Sequence, residues 1–388
     1  MKLKNILSVL CFFFVAVACS MEDDIIQNDF GKNNEAFSDG NVHMSFNLQG
    51  GITTTKSSTI GDPATNEITA TEAISTCSVI LYKGNDVLGV RDGVAVANNT
   101  TLPDDFSILT KEQTGLHVMI VANSTVSFAG YSDMDAVKDA VQNMTTEFAD
   151  GKLVKVGTAA INFSDKSAAI NTNYAASAST AKTATNTYTQ AVTVYQLAAR
   201  IELTGFNVTY KASKPADVII KSVRLLNANL SSKTGSGASK VVASDYNVEI
   251  TGKYQNISSP LSDYTVYTNG AAQSLSSPVV FYSYKNTNTT AIAQNDSRYI
   301  KGVNENNLTK VEITFSVGEK VYTKAYTINR PENNATGTTY VNPNYIYRLT
   351  VNMEVTNKSV DCDVVCYTND WIYKDDADHN IDGDLIKK

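Results

Sequence analysis

The sequence predicts a mainly β protein of two domains, the second an antiparallel sandwich, with one short amphipathic helix in the first. Three observations carry that prediction. Apolar and polar residues alternate in many short stretches; Val42, Met44, Phe46 and Leu48, for example, alternate with His43, Ser45 and Asn47, the period of a strand with one buried face. Charged residues make up only 18% of the 388, while Thr, Asn, Ser and Ala abound, which suits strands whose second face is wet. Helical period is convincing once beyond the N-terminal leader, between Ser132 and Met144.

The leader comes first. Lys2 and Lys4 precede an apolar run from Ile6 to Val17, too short to span a bilayer as a lasting helix, so the segment reads as an export signal. Ala16, Val17 and Ala18 stand directly before Cys19. That is the spacing of a bacterial lipobox, in which a diacylglyceryl group is attached to the thiol and cleavage makes the cysteine the new N-terminus. An ordinary cleaved secretory signal is the alternative, and with either the protein leaves the cytoplasm. The expected division is a lipoprotein signal over 1–18, an acidic tether over 19–40 that holds Glu22, Asp23 and Asp24, a first domain over 41–185, and a second over 186–388 ending in an acidic tail. The length beyond the tether suffices for two separate cores.

The first domain opens with the strand Val42 to Leu48, closed by Gly50 and Gly51. Residues 52–68 are rich in Thr, Ser, Gly and Pro and lack a hydrophobic period, so they are expected to form an exposed loop, with Lys56 in its middle. Cys77 to Tyr82 and Leu116 to Ala122 are compact apolar runs; the second is nearly continuous, the mark of a central strand covered on both faces. Met134, Val137, Val141 and Met144 fall at helical spacing behind Ser132 as N-cap. Residues 171–187 are low-complexity Ala, Ser, Thr and Asn, a natural domain boundary.

Beyond that boundary Leu197, Ala199, Ile201 and Leu203 share one face, with Gln196, Arg200 and Glu202 on the other. Val192 and Val194 are out of phase with them, which one extra residue near Tyr195 would reconcile as a β-bulge. Further strands are expected at 218–226, 279–284, 311–317, 321–328, 345–355 and 360–367. Their alternation reads as an antiparallel sandwich. The stretch "SSKTGSGASK" is expected to be a flexible connector, since it lacks the Walker spacing of a phosphate cradle.

Composition narrows the function classes. A net charge of -7 argues against nucleic acid or an anionic membrane as the working partner. Cys11 lies in the signal and Cys19 is the lipid site, leaving Cys77, Cys362 and Cys366. Four residues of strand separate the last two by about 13 Å, too far for direct bridging, so packed free thiols are expected. His43, His117 and His379 lack ligand spacing, so no metal site is expected. No nucleophile elbow or Cys and His pairing is present, no carboxylates stand paired for glycoside cleavage, and no cofactor is expected. Asp378, Asn380, Asp382 and Gly383 open like a calcium loop but read as a solvated acidic tail. Trp371 reads as a core anchor; stacking on sugars would require Tyr367 and Tyr373 to share an exposed face with it.

Several stretches together resemble the fimbrillin family, the FimA-type major fimbrial subunits of Bacteroidales. They are "TIGDPATNEI", "STCSVILYKGN", "GLHVMIVANSTVSFAG" with "SDMDAVKDAVQNMTTEF", then "VTVYQLAARIELTGFNV", "NPNYIYRLTVNMEV" and "CDVVCYTNDW". Their order and spacing cover most of the chain after the leader. The resemblance implies two β-sandwich domains of transthyretin-like topology, a lipoprotein precursor anchored in the outer membrane through Cys19, and assembly into surface fimbriae by strand exchange. In that family an extracellular arginine-specific protease cuts the loop after the first strand. Here no Arg occurs between Cys19 and Arg91, so the cut is expected between Lys56 and Ser57, by a trypsin-like protease. The displaced strand would be that of Val42, Met44, Phe46 and Leu48. Candidate donors are Tyr345, Tyr347, Leu349, Val351, Met353 and Val355, or Val360, Cys362, Val364 and Cys366. The implied partners are copies of the chain or related pilus subunits. The competing reading is a non-polymerising surface lipoprotein, a pilus anchor or tip included, that binds glycans or host proteins.

Overall fold

The structure, a computed structural model, describes residues 42–49, 74–96, 108–110, 114–144, 153–161, 173–174, 182–183, 186–237, 254–328, 341–343 and 345–370. They are mainly strand and divide into two compact units. The first unit holds the described residues up to Lys138 together with Gly157–Val194; the second holds Asp139–Val156 and the described residues from Tyr195 onward.

In the first unit the strands are β1 (Val42–Gln49), β2 (Thr76–Lys83), β3 (Asp86–Ala95), β4 (Ile108–Thr110) and β5 (Leu116–Ala122), followed by helix α1 (Met134–Asp139). After β6 (Val141–Asn143), which belongs to the second unit, come β7 (Lys155–Ala160), β8 (Asn173–Tyr174), β9 (Lys182–Thr183) and β10 (Asn186–Thr193). One sheet runs β10-β1-β4 and another runs β7-β5-β2-β3. Val79, Leu81, Val118 and Ile120 from β2 and β5 share a buried cluster with Val192 near the end of β10 and Val194 just beyond it. The apolar alternation of these strands thus becomes the core between two sheets. Gly157 permits a close approach within this unit: a Cβ there would lie 2.1 Å from the Thr193 carbonyl oxygen.

β5 is buried along nearly its whole length, as its continuous apolar run predicts for a central strand. β3 is absent from the sequence reading, because Gly89, Asp92 and Gly93 interrupt its alternation and its pairing with β2 shifts register twice. Asp92 also ties β2 to the loop after β5: it accepts from Ser78 Oγ, from Ser127 Oγ at 2.6 Å and from the Phe128 amide at 2.5 Å.

The predicted helix is shorter than its periodicity. α1 ends at Asp139, and Val141 instead sits in β6, in register with Lys233. Pairing with a distant strand overrides the local period here. Asp133, one residue later than expected, caps the helix by accepting from the Ala136 amide at 2.8 Å.

The second unit continues with β11 (Tyr195–Gln196), β12 (Ala198–Tyr210), β13 (Val218–Asn229), β14 (Ser231–Lys233), β15 (Tyr254–Ser258), β16 (Tyr264–Thr268), β17 (Ala271–Ala272), β18 (Val279–Tyr284), β19 (Lys310–Val317), β20 (Lys320–Thr327), β21 (Tyr345–Val355) and β22 (Val360–Asp370). One layer runs β18-β12-β21-β22. The other is built on β13, with β19 and then β20 along one edge and β15 and β16 along the opposite edge. The layers join at the pair Asn229 and Tyr284. Leu203, Phe281, Leu349 and Val351 of the first layer and Val223, Leu225, Ile313 and Phe315 of the second are buried.

Three features differ from expectation, each for a physical reason. β12 and β21 run parallel, so the sandwich is not wholly antiparallel. The phase change near Tyr195 is a change of unit, not a bulge: Val192 and Val194 serve the first core and Leu197 onward the second. β10, placed in the second domain by the sequence reading, therefore clusters with the first. The register shift of β12 falls later, between Leu203 and Gly205. The "SSKTGSGASK" stretch begins with β14, and Ser231, Ser232 and Thr234 are buried. Thr234 Oγ1 donates to the Ala140 carbonyl and accepts from Gln142 Nε2, both at 2.8 Å.

Candidate functional site

The predicted site residues within the described segments fall on three strands, β1 near one end of the chain and β21 and β22 near the other. Val42, Met44, Phe46 and Leu48 occupy alternate positions of β1. β1 runs parallel to β10 in unbroken register from Val42 opposite Asn186 to Gln49 opposite Thr193. Its other edge meets β4 through Val42, His43 and Met44. β1 is therefore the middle strand of its sheet, and Val192, opposite Leu48, is part of the buried core.

Near the C-terminus β21 and β22 form an antiparallel pair in unbroken register, from Tyr345 opposite Asp370 to Val355 opposite Val360. The expected apolar faces coincide: Leu349 pairs with Cys366, Val351 with Val364 and Met353 with Cys362. Tyr347, Leu349, Val351, Val364 and Cys366 are buried, whereas Tyr345, Val360 and Cys362 are partly exposed. Cys77, Cys362 and Cys366 are free thiols. Burial pushes the Cys366 thiol up to about 12 and raises Cys362 as well.

The two strands are held differently. β21 lies between β12 and β22, and it carries Arg348 into a buried charge cluster. Arg348 Nε donates to Glu202 Oε2 at 3.1 Å, Arg200 Nε donates to Glu202 Oε1, and Arg200 Nη1 donates to the Tyr282 hydroxyl at 3.3 Å. Arg200, Glu202 and Arg348 all have relative exposures of 6% or less, so the pairing replaces lost hydration. β22 is an edge strand, paired with β21 alone among the described residues. From the other layer, the Tyr326 hydroxyl of β20 donates to the Cys362 carbonyl.

Sequence reading did not single out Tyr326, Arg348 or Glu202. The polar residues within apolar strands were visible, but their partners were not. Cys19, Lys56, Ser57, Trp371 and the acidic tail lie outside the described residues. Lys83 is exposed at the end of β2 beside the turn at Gly84 and Asn85. His117 stacks on Tyr82 with ring centroids 5.3 Å apart. Among the described residues no three His, Cys, Asp or Glu side chains gather as a metal site, and no helix is long and apolar enough to cross a membrane.

The fold is shared with a solved candidate cell adhesion protein. Solved structures that resemble this chain include a candidate cell adhesion protein and a fimbrilin. A candidate cell adhesion protein from Parabacteroides distasonis ATCC 8503 superposes with a TM-score of 0.56 at 13% identity, covering 86% of this chain and 98% of its own. A fimbrilin (fimA) from Porphyromonas gingivalis W83 gives a TM-score of 0.49 at 15% identity, with the same 86% and 98% coverage. No protein-family model and no curated protein matches the sequence.

Proposed function

We propose that the chain is a structural subunit of a cell-surface fimbria that supports adhesion. It is exported as a lipoprotein on Cys19 to the outer membrane, matured by a trypsin-like protease between Lys56 and Ser57, and polymerised by donor-strand exchange. The observation that supports this reading is the position of β1 as middle strand of its sheet. Departure of β1 would leave the edges of β10 and β4 open beside the first core, a slot that a strand from another subunit could fill by main-chain pairing. Each large apolar side chain such a strand buries contributes roughly 1.5–3 kcal/mol.

While the loop after β1 is intact, β1 competes with any incoming strand at a very high effective concentration. The cut removes that advantage. β22 is the favoured donor because it leaves one ladder, whereas β21 must leave two. The function requires no cofactor.

Limited trypsin digestion of the purified precursor tests the reading. It should yield a new N-terminus at Ser57 followed by ladders of polymer, and Lys56→Ala should abolish both. A Lys56→Ala protein that polymerises as well as the parent would overturn strand release at this loop and favour the anchor or glycan-binding alternative.

A further inference from the structure

β20 and β22 are edge strands of the two layers of the second unit, each with a single ladder partner among the described residues. Tyr322 and Tyr326 lie on the same face of β20, four residues apart, yet they are used differently. Tyr322 stacks on Phe315 of its own layer, with ring centroids 5.4 Å apart and planes 20° from parallel. Tyr326 reaches out of its layer and donates its hydroxyl hydrogen to the Cys362 carbonyl of β22.

The direction of that carbonyl matters. In a strand, each residue's N–H and C=O point to the same side, and alternate residues point to opposite sides. The Val355 carbonyl accepts from the Lys211 amide just beyond β12, so Val355 and Met353, two residues apart, turn their backbone groups away from β22. Cys362, opposite Met353, therefore offers its carbonyl away from β21, on the edge without a strand partner among the described residues. An edge carbonyl of this kind is ordinarily satisfied by water, and exchanging that water for a half-buried phenol ties the edge strand to the opposite layer. The bond also lies directly across from Met353 of β21, on the apolar stretch that β22 must lift away if it is to leave.

We propose that Tyr326 is a latch that holds β22 in the precursor through the Cys362 carbonyl and sets how often β22 detaches. The assignment of β22 as donor strand belongs to the fimbrial reading above, on which the functional importance of the latch rests. The latch itself is a statement about this chain alone.

Tyr326→Phe keeps the ring and removes only the hydroxyl. Two thiols report on it separately when labelling of the intact precursor is resolved peptide by peptide. Cys366 is buried on β22 and Cys77 is buried on β2, so Cys366 reports detachment of β22 and Cys77 reports opening of the first core. Loss of one intramolecular hydrogen bond should raise the Cys366 labelling rate roughly two- to tenfold and leave Cys77 unchanged. Tyr322→Phe, which removes a hydroxyl from the neighbouring stacked ring, should leave both rates at the parent values. An unchanged Cys366 rate in Tyr326→Phe would overturn the latch, as would a rise matched by Cys77 or by Tyr322→Phe. Ladder growth after the Lys56 cut is read in parallel: faster Cys366 labelling without faster ladders keeps the latch and removes β22 as donor.

Discussion

β21 and β22 each span eleven residues and pair with one another along their full length, but among the described residues β21 lies inside its layer and β22 at the edge. β21 has a second ladder with β12 and a buried arginine bonded to Glu202. β22 has one ladder and a tyrosine hydroxyl reaching its edge. The alternating apolar pattern is common to both, so pattern alone cannot tell an interior strand from an edge strand. Sheet position and cross-sheet bonds separate them.

The sharpest way to break the contrast is at Glu202. Glu202→Ala leaves Arg200 and Arg348 buried without their shared carboxylate, which should cost about 3–5 kcal/mol. Chemical denaturation of the second unit should register this loss, whereas a change below about 1 kcal/mol would mean that the cluster does not anchor β21.

Core truncation on the two strands tests the same contrast with less disturbance. Leu349 of β21 is 1% exposed and Val364 of β22 is 8% exposed. Leu349→Ala should cost about 2–5 kcal/mol. Val364→Ala should cost less and should chiefly raise Cys366 labelling. Equal global losses would mean that β22 is as firmly integrated as β21.

The smallest effect is on pH dependence, and on β22 it centres on Cys366. Cys366 is raised from an ordinary thiol value of 9.0 to about 12 by burial, so its neutral form is favoured in the folded state. The stabilisation this brings is fully present below pH 9 and is lost as the pH rises towards 12. Cys362 and Tyr326 are raised in the same sense, both chiefly by burial. Thermal melting should therefore fall across that alkaline window, and Cys366→Val should make the fall shallower without removing it. A slope identical to that of the parent would mean that this thiol stays buried in the unfolding step.

Much of the fold was legible because strands write their buried face into every second residue. Cys77 to Tyr82, Leu116 to Ala122, Val279 to Tyr284 and Tyr345 to Val355 all appear as strands at or near their expected bounds. What escaped was non-local. The helix period of Val141 gave way to pairing with β14. The phase change near Tyr195 concealed a passage between cores. For the candidate site, the apolar faces of β21 and β22 were legible and their unequal tethering was not. Glu202 and Arg348 are 146 residues apart in sequence, and no local spacing marks Tyr326 as the partner of a carbonyl on β22.

The central claim is that release of β1 opens a slot which β22 of another subunit fills. A labelled synthetic peptide spanning Val360–Asp370, added to the precursor before and after the Lys56 cut, measures this directly. The account predicts binding to the cut subunit, none to the intact one, and arrest of ladder growth by excess peptide. A cut subunit that ignores the peptide and still polymerises at the parent rate would contradict it.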